Sequence, residues 1–365
     1  MSLPRFPTNE ADERLRAVEG SGVETVPLHG TPAPPLPQHA VEAVAATLSR
    51  GHAAPPPRGL TELRKALARR LAATGRAVDP GSELVVTNGA MHALNLVFRA
   101  LLEPGDEVVV PAPCFFFEGP ITAARGVPVH VPCSAADGWA WSADAIERSL
   151  TPATRALLLC NPDNPTGRVH EPGEVAAAVG VAERHGLLVV TDEAYEALLW
   201  EGARLTSAFA LTERALLVRS LGKSLSLPHL RLGLVAGPPP LVGAVAAALE
   251  WDVLRVGLAP QVAALAVLDG DDGWLRDVHA ALAADRTAAL AAVTEAGLEV
   301  VPPGGGPFLF CSDGSPLLAD ELLGCGIPVV DGVHFHAPGW ARIPLGGAAA
   351  AAGALRTALA RRASR

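Results

Sequence analysis

Short apolar segments of strand length alternate with longer segments of helical spacing over the middle of the chain. Seven of the short segments are rich in Val, Leu and Ala and predict buried strands, at residues 84–86, 108–110, 127–131, 156–159, 187–190, 215–218 and 232–236. Strands that alternate with helices in this way usually form a parallel sheet with helices on both faces. The pattern therefore predicts an α/β fold with a mostly parallel seven-stranded sheet sandwiched by helices.

The flanking segments predict helices before this sheet and a smaller unit after it. Helical spacing is present at residues 39–49, 60–71 and 274–296. Short apolar segments then predict the strands of a smaller α+β unit, at residues 298–301, 308–311, 328–330 and 341–344. We expect an N-terminal arm at residues 1–27, a large domain at 28–270 and a small C-terminal domain at 271–365.

The composition favours small-molecule partners. The chain has 365 residues, is 49% hydrophobic and carries a formal net charge of -9 at pH 7. An acidic chain lacks the basic surface that general nucleic-acid or anionic-membrane binding requires. The chain has no apolar run of the roughly 18 residues that would span a bilayer, and its N-terminus lacks the apolar core of a signal peptide. We expect a cytoplasmic protein with no nucleic-acid or membrane partner.

The cysteines and one histidine pair give no indication of a metal site. The five cysteines are widely spaced and include no Cys-x-x-Cys pair, which predicts buried thiols in a reducing compartment; they are Cys114, Cys133, Cys160, Cys311 and Cys325. His334 and His336 alternate as they would on one face of a strand, but no carboxylate or cysteine lies at ligand spacing from them. The sequence predicts no metal, and a packing or substrate role for the two histidines.

Lys223 is the residue with the clearest chemical meaning. Lysine and arginine together number 29, yet only Lys65 and Lys223 are lysines. Arginine stays protonated and is a poor nucleophile, whereas a lysine amine can lose its proton and condense with a carbonyl. A chain that otherwise uses arginine has kept an amine in the segment Ser-Leu-Gly-Lys-Ser. Lys223 is therefore a candidate catalytic residue.

Polar motifs follow four of the predicted strands. They are Thr-Asn-Gly-Ala-Met at 87–91, Asn-Pro-Asp-Asn-Pro-Thr-Gly at 161–167, Thr-Asp-Glu-Ala-Tyr at 191–195, and Ser-Leu-Gly-Lys at 220–223 with Arg231 beyond. Each motif alone also occurs as a cap, a turn or a solvated charge. Open parallel sheets bind ligands at the carboxyl ends of their strands, so the four motifs are expected to meet. Together they supply what a pyridoxal 5′-phosphate site requires: a phosphate cradle, an amide, a carboxylate, a phenol and an amine.

With these motifs in this order, the chain resembles the class I/II aminotransferases of the fold-type I pyridoxal-phosphate enzymes. The resemblance extends from about residue 28 to the C-terminal helix. It implies transfer of an amino group from an L-amino acid to a 2-oxo acid through a Schiff base on Lys223. It also implies a homodimer with its site at the subunit boundary, and a contribution of residues 28–50 to the small domain and the dimer interface.

The resemblance also assigns roles to the residues of the motifs. Asp192 is expected to pair with the pyridine nitrogen of the cofactor, and Asn164 and Tyr195 to hydrogen-bond its 3′ oxygen. Lys223, Asp192 and Tyr195 are then the expected catalytic residues. The phosphate and the ring are expected to contact Gly89, Ala90, Met91, Phe115, Ser220 and Arg231, with Phe117 as second choice for the ring.

The C-terminal part resembles the family at the strand that carries its substrate arginine. Arg342 lies in the segment Trp-Ala-Arg-Ile-Pro-Leu-Gly and is expected to bind the substrate α-carboxylate as a bidentate pair, with Gly30 and Asn164 nearby. Ala54 departs from the family pattern, because relatives usually carry a tyrosine there that reaches the neighbouring subunit's phosphate. Arg255 is a weak candidate for substrate side-chain recognition, because a surface helix position explains it better.

Two alternative functions remain open from the motifs. Other fold-type I enzymes decarboxylate amino acids, eliminate at the β or γ carbon, or form rings, and such an enzyme would suit specialised biosynthesis. Aminotransferase-like domains also serve as effector sensors fused to DNA-binding modules. Only a short arm precedes residue 28, which disfavours that second alternative. His334 and His336 are further candidates for shaping the substrate entrance.

Overall fold

The computed structural model describes residues 5–51, 53–271 and 273–363. The strands are β1 Leu84–Thr87, β2 Glu107–Ala112, β3 Val127–Pro132, β4 Thr154–Cys160, β5 Leu188–Asp192, β6 Ala215–Ser220, β7 Gly233–Ala236, β8 Glu299–Val300, β9 Phe308–Ser312, β10 Val330–Asp331 and β11 Trp340–Pro344. The helices are α1 Pro7–Gly20, α2 Gln38–Arg50, α3 Thr61–Leu71, α4 Ala90–Leu101, α5 Glu118–Ala123, α6 Ala143–Arg148, α7 Pro172–Arg184, α8 Leu221–Ser224, α9 Pro239–Val253, α10 Leu258–Asp269, α11 Gly273–Glu295, α12 Leu318–Gly324 and α13 Ala352–Ala363.

The large sheet contains seven strands in the order β1-β7-β6-β5-β4-β2-β3. Only β7 runs antiparallel to its neighbours, β1 and β6; the other neighbouring pairs are parallel. Every residue of β1 and β7 is buried, because helices cover both faces of the sheet and leave no face for polar side chains. The predicted fold class, with its mostly parallel seven-stranded sheet, is confirmed.

The register of this sheet brings the polar motifs to one edge. Asp192 at the end of β5 lies beside Cys160 at the end of β4 and beside Val218 near the end of β6. Strand β1 points the same way as β6, since both are antiparallel to β7. The segments that follow β1, β4, β5 and β6 therefore leave the sheet at the same edge.

A second sheet of four antiparallel strands, in the order β10-β11-β9-β8, forms the smaller part of the molecule. Its core includes residues of α11, α12 and α13. Val26 and Leu28 also belong to this core, and His29 forms an antiparallel bridge with Gly346. The chain thus joins the smaller sheet both before and after it builds the large one. The domain boundaries expected at residues 27 and 270 stay predictions.

The N-terminal segment is a helix that the hydrophobic pattern did not indicate. Helix α1 has no buried residue, and a salt bridge of 2.5 Å joins Arg14 to Asp320. Phe6, just before the helix, packs edge-on against Phe116 with ring centroids 5.1 Å apart. An element with so few buried positions has no clear periodic apolar stripe, which is why its sequence reads as a polar leader.

The structure corrects the expectation that His334 and His336 lie on a strand. Residues Gly332–Phe335 form a 3-10 turn, and His336 ends it with a φ of 63°. The carboxylate of Asp331 accepts a hydrogen bond from the Val333 N–H, which begins the turn. A Cβ at Gly332 would lie 2.2 Å from the Ala337 carbonyl oxygen, so glycine is needed there.

The cysteines and the helix lengths agree with the expectations for this chain. All five cysteines are free thiols; four are buried and Cys133 is half-buried. Within the described parts of the chain, every helix is too short or too polar to cross a bilayer.

Candidate active site

Ten of the residues predicted from the motifs line one cavity of about 320 Å³ at the carboxyl edge of the large sheet. We call it the Asp192 cavity. The ten are Ala90, Met91, Phe115, Asn164, Asp192, Tyr195, Ser220, Lys223, Arg231 and Arg342. Gly89 precedes Ala90 at the start of α4, and Gly30 lines a second cavity described below. The fold therefore brings together groups from four strand ends and from the smaller sheet.

Lys223 lies on α8, directly after β6, and its amine reaches the cavity. Nζ donates a hydrogen bond of 2.9 Å to Oγ1 of Thr31 and lies 5.7 Å from the centre of the Tyr195 ring. Burial, followed by the charges of Arg342 and Arg231, lowers the pKa of Lys223 to about 8. About a tenth of the amine is therefore unprotonated at pH 7, and this is the form that attacks a carbonyl or accepts a proton.

Asp192 is a buried carboxylate that lacks a cationic partner among the described side chains. Its Oδ1 accepts a hydrogen bond of 3.0 Å from the Ala194 N–H. Burial raises the pKa of Asp192 to about 7. A protonated pyridine ring in the cavity would supply the positive charge that this carboxylate lacks, so the site fits the nitrogen end of pyridoxal phosphate.

Asn164 connects the phenol of Tyr195 with the guanidinium of Arg342. Its Nδ2 donates to the Tyr195 hydroxyl at 3.2 Å, and its Oδ1 accepts from Nη1 of Arg342 at 2.9 Å. Asn164 and Tyr195 are both buried, and burial raises the pKa of the Tyr195 phenol. The phenol thus stays protonated and can donate to an anionic oxygen, as the 3′ oxygen of the cofactor would require.

The opposite end of the cavity is shaped for a phosphate. Gly89 has a φ of 88°, and Ala90 begins the 12-residue helix α4, whose free N–H groups face this end. A Cβ on Gly89 would lie 3.2 Å from Nη2 of Arg231, and a Cβ on Gly233 would lie 2.6 Å from the Gly89 carbonyl carbon. Because Gly89 and Gly233 have no Cβ, the loop at Gly89 can lie close to strand β7 and to the guanidinium of Arg231. The exposed Arg231 side chain remains available for an oxyanion.

The structure distinguishes the two phenylalanines considered for the ring contact. Phe115 is half-buried and lines the Asp192 cavity, whereas Phe117 is 0% exposed and lies in the core of the large domain. Their ring centroids are 5.7 Å apart in an edge-on arrangement. Phe115 is therefore the one whose face a planar ligand could reach.

Arg342 lies on β11 and faces a second cavity of about 310 Å³, which Gly30 and Lys223 also line. We call it the Gly30 cavity. The guanidinium carbon lies 4.9 Å from the ring centre of Phe335 and 5.6 Å from that of Phe308. Burial lowers the pKa of Arg342 to about 10, so the side chain stays cationic near neutral pH. A carboxylate ligand would supply the missing charge partner.

Several residues of the site were not predicted. Thr31 binds the Lys223 amine, and Phe6, Thr8 and Asp12 reach the cavities from α1 and the segment before it. The position of Thr31, next to Gly30, was the one available indication. The others belong to a segment without an apolar pattern, and only the fold places them at the site.

A buried ion network lies beside Asp192. Glu193 is 0% exposed and pairs with Arg219 at 2.8 Å, and Glu196 lies 3.8 Å from the same guanidinium. The Ser207 hydroxyl donates to Glu193. Burial raises the pKa of Glu196 to about 7. This network fixes the chain that follows β5, and thereby the carboxylate of Asp192.

The remaining candidate positions lie outside both cavities. Ala54 and Arg255 are exposed, and Nη1 of Arg255 lies 3.4 Å from the Pro55 carbonyl oxygen. His334 lines a separate apolar cavity with Phe116, and His336 pairs with Glu118 at 2.6 Å. Neither histidine lines the Asp192 or the Gly30 cavity.

Comparison with known proteins identifies the family. The sequence profile described as "Aminotransferase class I and II" matches residues 27–361. The chain is 33% identical over 335 residues to an aspartate/prephenate aminotransferase of Thermus thermophilus, covering 88% of this chain and 86% of that protein. It is 30% identical over 361 residues to an aspartate aminotransferase of Streptomyces avermitilis, covering 92% and 88%.

A solved structure agrees over nearly the whole chain. The aspartate aminotransferase from Thermus thermophilus with maleate has a TM-score of 0.91 and 31% sequence identity, and the match covers 99% of this chain and 97% of that one. The chain belongs to the class I and II aminotransferases. It is a fold-type I, pyridoxal-phosphate-dependent enzyme that transfers an amino group from an amino acid to a 2-oxo acid. The predictions of family, cofactor and reaction are confirmed, and transamination stands above the alternative reactions.

Proposed function

We propose that Lys223, Asp192 and Tyr195 are the catalytic residues of this aminotransferase, and that Arg342 binds the substrate α-carboxylate. The observation that carries this proposal is the position of Lys223, whose amine lies between the Asp192 cavity and the Gly30 cavity. The first cavity fits the cofactor and the second opens onto Arg342. An amine that both cavities share can reach the reacting carbon of each ligand.

Each residue of the site would have its own role in the reaction. When bound, pyridoxal phosphate supplies an aldehyde and an electron-withdrawing ring. Lys223 would hold the cofactor at its aldehyde carbon through Nζ, and its neutral amine would accept the proton that leaves the substrate Cα. Asp192 would hold a proton on the ring nitrogen. Asn164 and Tyr195 would orient the 3′ oxygen, and the Gly89 turn, Ser220 and Arg231 would hold the phosphate.

We further propose that the preferred amino donor carries an uncharged, apolar side chain. The Gly30 cavity is lined by apolar groups, among them Leu15, Leu28 and Val330. Among the described residues that line this cavity, Lys223 is the lysine and Arg342 the arginine. Asp12 brings a negative charge to the same cavity. A second carboxylate on the substrate would meet Asp12 and apolar surface. This differs from relatives named for aspartate and from the structure with maleate, a dicarboxylate.

We also propose that the protein is a cytoplasmic homodimer. Large apolar side chains are exposed on α2 and at the end of α9; they are Val41 at 44%, Leu48 at 59%, Trp251 at 91% and Leu254 at 67% exposure. A second copy of the chain would cover such surface. Sedimentation analysis is expected to give a dimer that Trp251→Ser together with Leu254→Ser weakens, and a monomeric wild type would contradict the proposal. The five free thiols support a reducing compartment.

A panel of amino donors tests both the reaction and its specificity. The purified holoenzyme is mixed with leucine, phenylalanine or aspartate, and loss of the cofactor's visible band is followed together with release of the 2-oxo acid. We expect kcat/KM for leucine or phenylalanine to exceed that for aspartate by roughly 10-fold, about 1.4 kcal/mol of transition-state binding. Asp12→Asn should reduce this preference. A preference for aspartate would refute the specificity alone, whereas carbon dioxide or ammonia in place of a 2-oxo acid would refute transamination.

A further inference from the structure

Three side chains with metal-binding atoms meet outside the two active-site cavities. Cys114 follows β2, His130 lies on β3, and His336 ends the 3-10 turn between β10 and β11. Each offers one ligand atom, and these atoms lie within 4.8 Å of one another. Cys114 and His336 are more than 200 residues apart in the sequence, so their spacing along the chain predicts no site. The fold alone brings them together, from the large sheet and the smaller one.

The two imidazoles of the cluster lie against each other, and one of them has a buried nitrogen without a hydrogen-bond partner in the described part of the chain. The rings of His130 and His336 stack with centroids 3.7 Å apart. Nε2 of His130 is buried and has no hydrogen-bond partner among the described residues. An imidazole nitrogen without a hydrogen-bond partner is available to bind a metal ion.

Glu118 completes the group from the first position of α5. Its Oε1 accepts a hydrogen bond of 2.6 Å from Nε2 of His336. In the neutral tautomer that donates from Nε2, the lone pair of His336 is on Nδ1 and is free for a metal. A carboxylate that holds the far nitrogen of a ligating histidine is a common outer partner in metal sites, where it orients the ring.

We propose that Cys114, His130 and His336 bind one Zn²⁺ ion, with Glu118 orienting His336 and water as the fourth ligand. One thiolate and two imidazoles suit zinc, whereas Mg²⁺ and Ca²⁺ require oxygen ligands. With zinc bonds of about 2.0–2.3 Å, the three ligand atoms would lie about an ångström closer to one another than the 4.8 Å within which they now lie. On binding, the Cys114 thiol gives its proton to solvent and its sulfur forms the bond to zinc.

The ion would join the two parts of the molecule beside the active site. The Cys114 N–H already donates to the Phe335 carbonyl oxygen at 3.3 Å, and Cys114 precedes Phe115, which lines the Asp192 cavity. A zinc ion between Cys114 and His336 would therefore hold the segment that carries Phe115 against the turn of the smaller sheet. Its expected effect is on stability, since no ligand of the site reaches either cavity.

Zinc binding to the holoenzyme tests the proposal directly. The holoenzyme is freed of metal with a chelator, and zinc is titrated in competition with a chromophoric chelator, with metal content measured by mass spectrometry. Cys114→Ser is the test variant. Cys133→Ser is the matched control, because Cys133 is a nearby thiol outside the cluster and the variant keeps the same cofactor. Thermal unfolding is followed with and without zinc.

We expect one zinc per chain in the wild type and in Cys133→Ser, with a higher unfolding temperature when zinc is bound. Cys114→Ser removes a ligand and should lower the zinc affinity more than roughly 100-fold. Glu118→Gln changes only the residue that orients His336 and should lower it about 10-fold. X-ray absorption of the zinc-loaded wild type should show sulfur at about 2.3 Å. Equal zinc affinity in Cys114→Ser and the wild type, or a zinc environment of nitrogen and oxygen alone, would overturn the proposal. The absorption measurement decides the matter even if Cys114→Ser does not fold.

Discussion

Nζ of Lys223 donates a hydrogen bond of 2.9 Å to Oγ1 of Thr31, a residue 192 positions earlier in the chain. The threonine follows Gly30, in the segment that joins the smaller sheet through the His29–Gly346 bridge. The lysine lies on α8, directly after strand β6 of the large sheet. The amine therefore has a defined resting position where the segment from the smaller sheet meets the large one, and a side chain from the N-terminal part of the chain holds it there.

Thr31→Val is expected to speed the capture of pyridoxal phosphate by the cofactor-free enzyme at pH 7. The hydrogen bond favours the protonated amine, so its loss should lower the pKa of Lys223 further below its present value of about 8. A shift worth about 1 kcal/mol would raise the neutral fraction at pH 7, and with it the capture rate, about 4-fold. Stopped-flow absorbance across pH 6–10 measures this. The rates should converge above pH 9, and Thr31→Ser should match the wild type; a slower Thr31→Val would contradict the account.

Asp192→Asn is expected to stabilise the cofactor-free protein increasingly as the pH rises. The folded pKa of Asp192, about 7, lies above its ordinary value of 3.8. The stability that its proton contributes is therefore complete below pH 4 and is lost as the pH rises through 7. The shift corresponds to about 4 kcal/mol, and asparagine does not titrate.

Urea unfolding of the cofactor-free proteins at pH 5 and pH 8 measures this difference. The stability of Asp192→Asn relative to the wild type should grow between the two pH values. The exposed Asp137, as Asp137→Asn, controls for the loss of a charge. With pyridoxal phosphate bound, the wild type should be more stable than Asp192→Asn, because only the Asp192 carboxylate can pair with the protonated ring nitrogen. A constant difference between pH 5 and pH 8 would show that Asp192 is already ionised in the free site.

Arg219→Leu is expected to cost about 3–5 kcal/mol of stability, because it leaves the buried carboxylate of Glu193 and the half-buried one of Glu196 without their cation. Denaturant titration at pH 8 measures the loss. Arg356→Leu is the control, since its ion pair with Glu295 lies on the surface and should contribute little. The double variant with Glu193→Gln should recover part of the loss. A small effect of Arg219→Leu alone would mean that water reaches the pair.

Arg342→Lys is expected to raise KM for the amino donor roughly 10- to 100-fold while changing kcat much less. A lysine ammonium cannot reproduce the two parallel bonds of a guanidinium to a carboxylate, nor the bond to Oδ1 of Asn164 in the same geometry. Initial-rate kinetics separate the two constants. Arg356→Lys, on the exposed face of α13, serves as the matched control. A fall in kcat with unchanged KM would place Arg342 in the chemical step instead.

The large sheet and most of the site could be predicted because local sequence carries their information. Six of its seven strands are almost wholly buried and read as short apolar runs, and Asp192, Asn164 and Lys223 lie at or shortly after the ends of such runs. The shared direction of β1, β4, β5 and β6 then places their carboxyl ends at one edge. Chemistry and connectivity together therefore outline the site without a structure.

The missed features depend on contacts between distant segments. Helix α1 buries no side chain and so leaves no apolar pattern, although Thr8 and Asp12 from it line the Gly30 cavity. The meeting of Cys114 with His336 needs both sheets in place. The alternation of His334 and His336 alone cannot distinguish a strand from a turn that a capping carboxylate begins.

Ala54→Tyr is expected to slow the loss of pyridoxal phosphate from the holoenzyme. The family resemblance implies that a tyrosine at this position would reach the phosphate of the neighbouring subunit, and Ala54 is exposed. A new hydrogen bond from the phenol to the phosphate would be worth about 1 kcal/mol, or roughly 5-fold in the release rate. Dilution into an excess of a carbonyl trap, followed by absorbance, measures that rate. Ala54→Phe supplies the ring without the hydroxyl, so equal slowing in both variants would attribute the effect to packing. An unchanged rate in Ala54→Tyr would mean that position 54 does not reach a second subunit's phosphate.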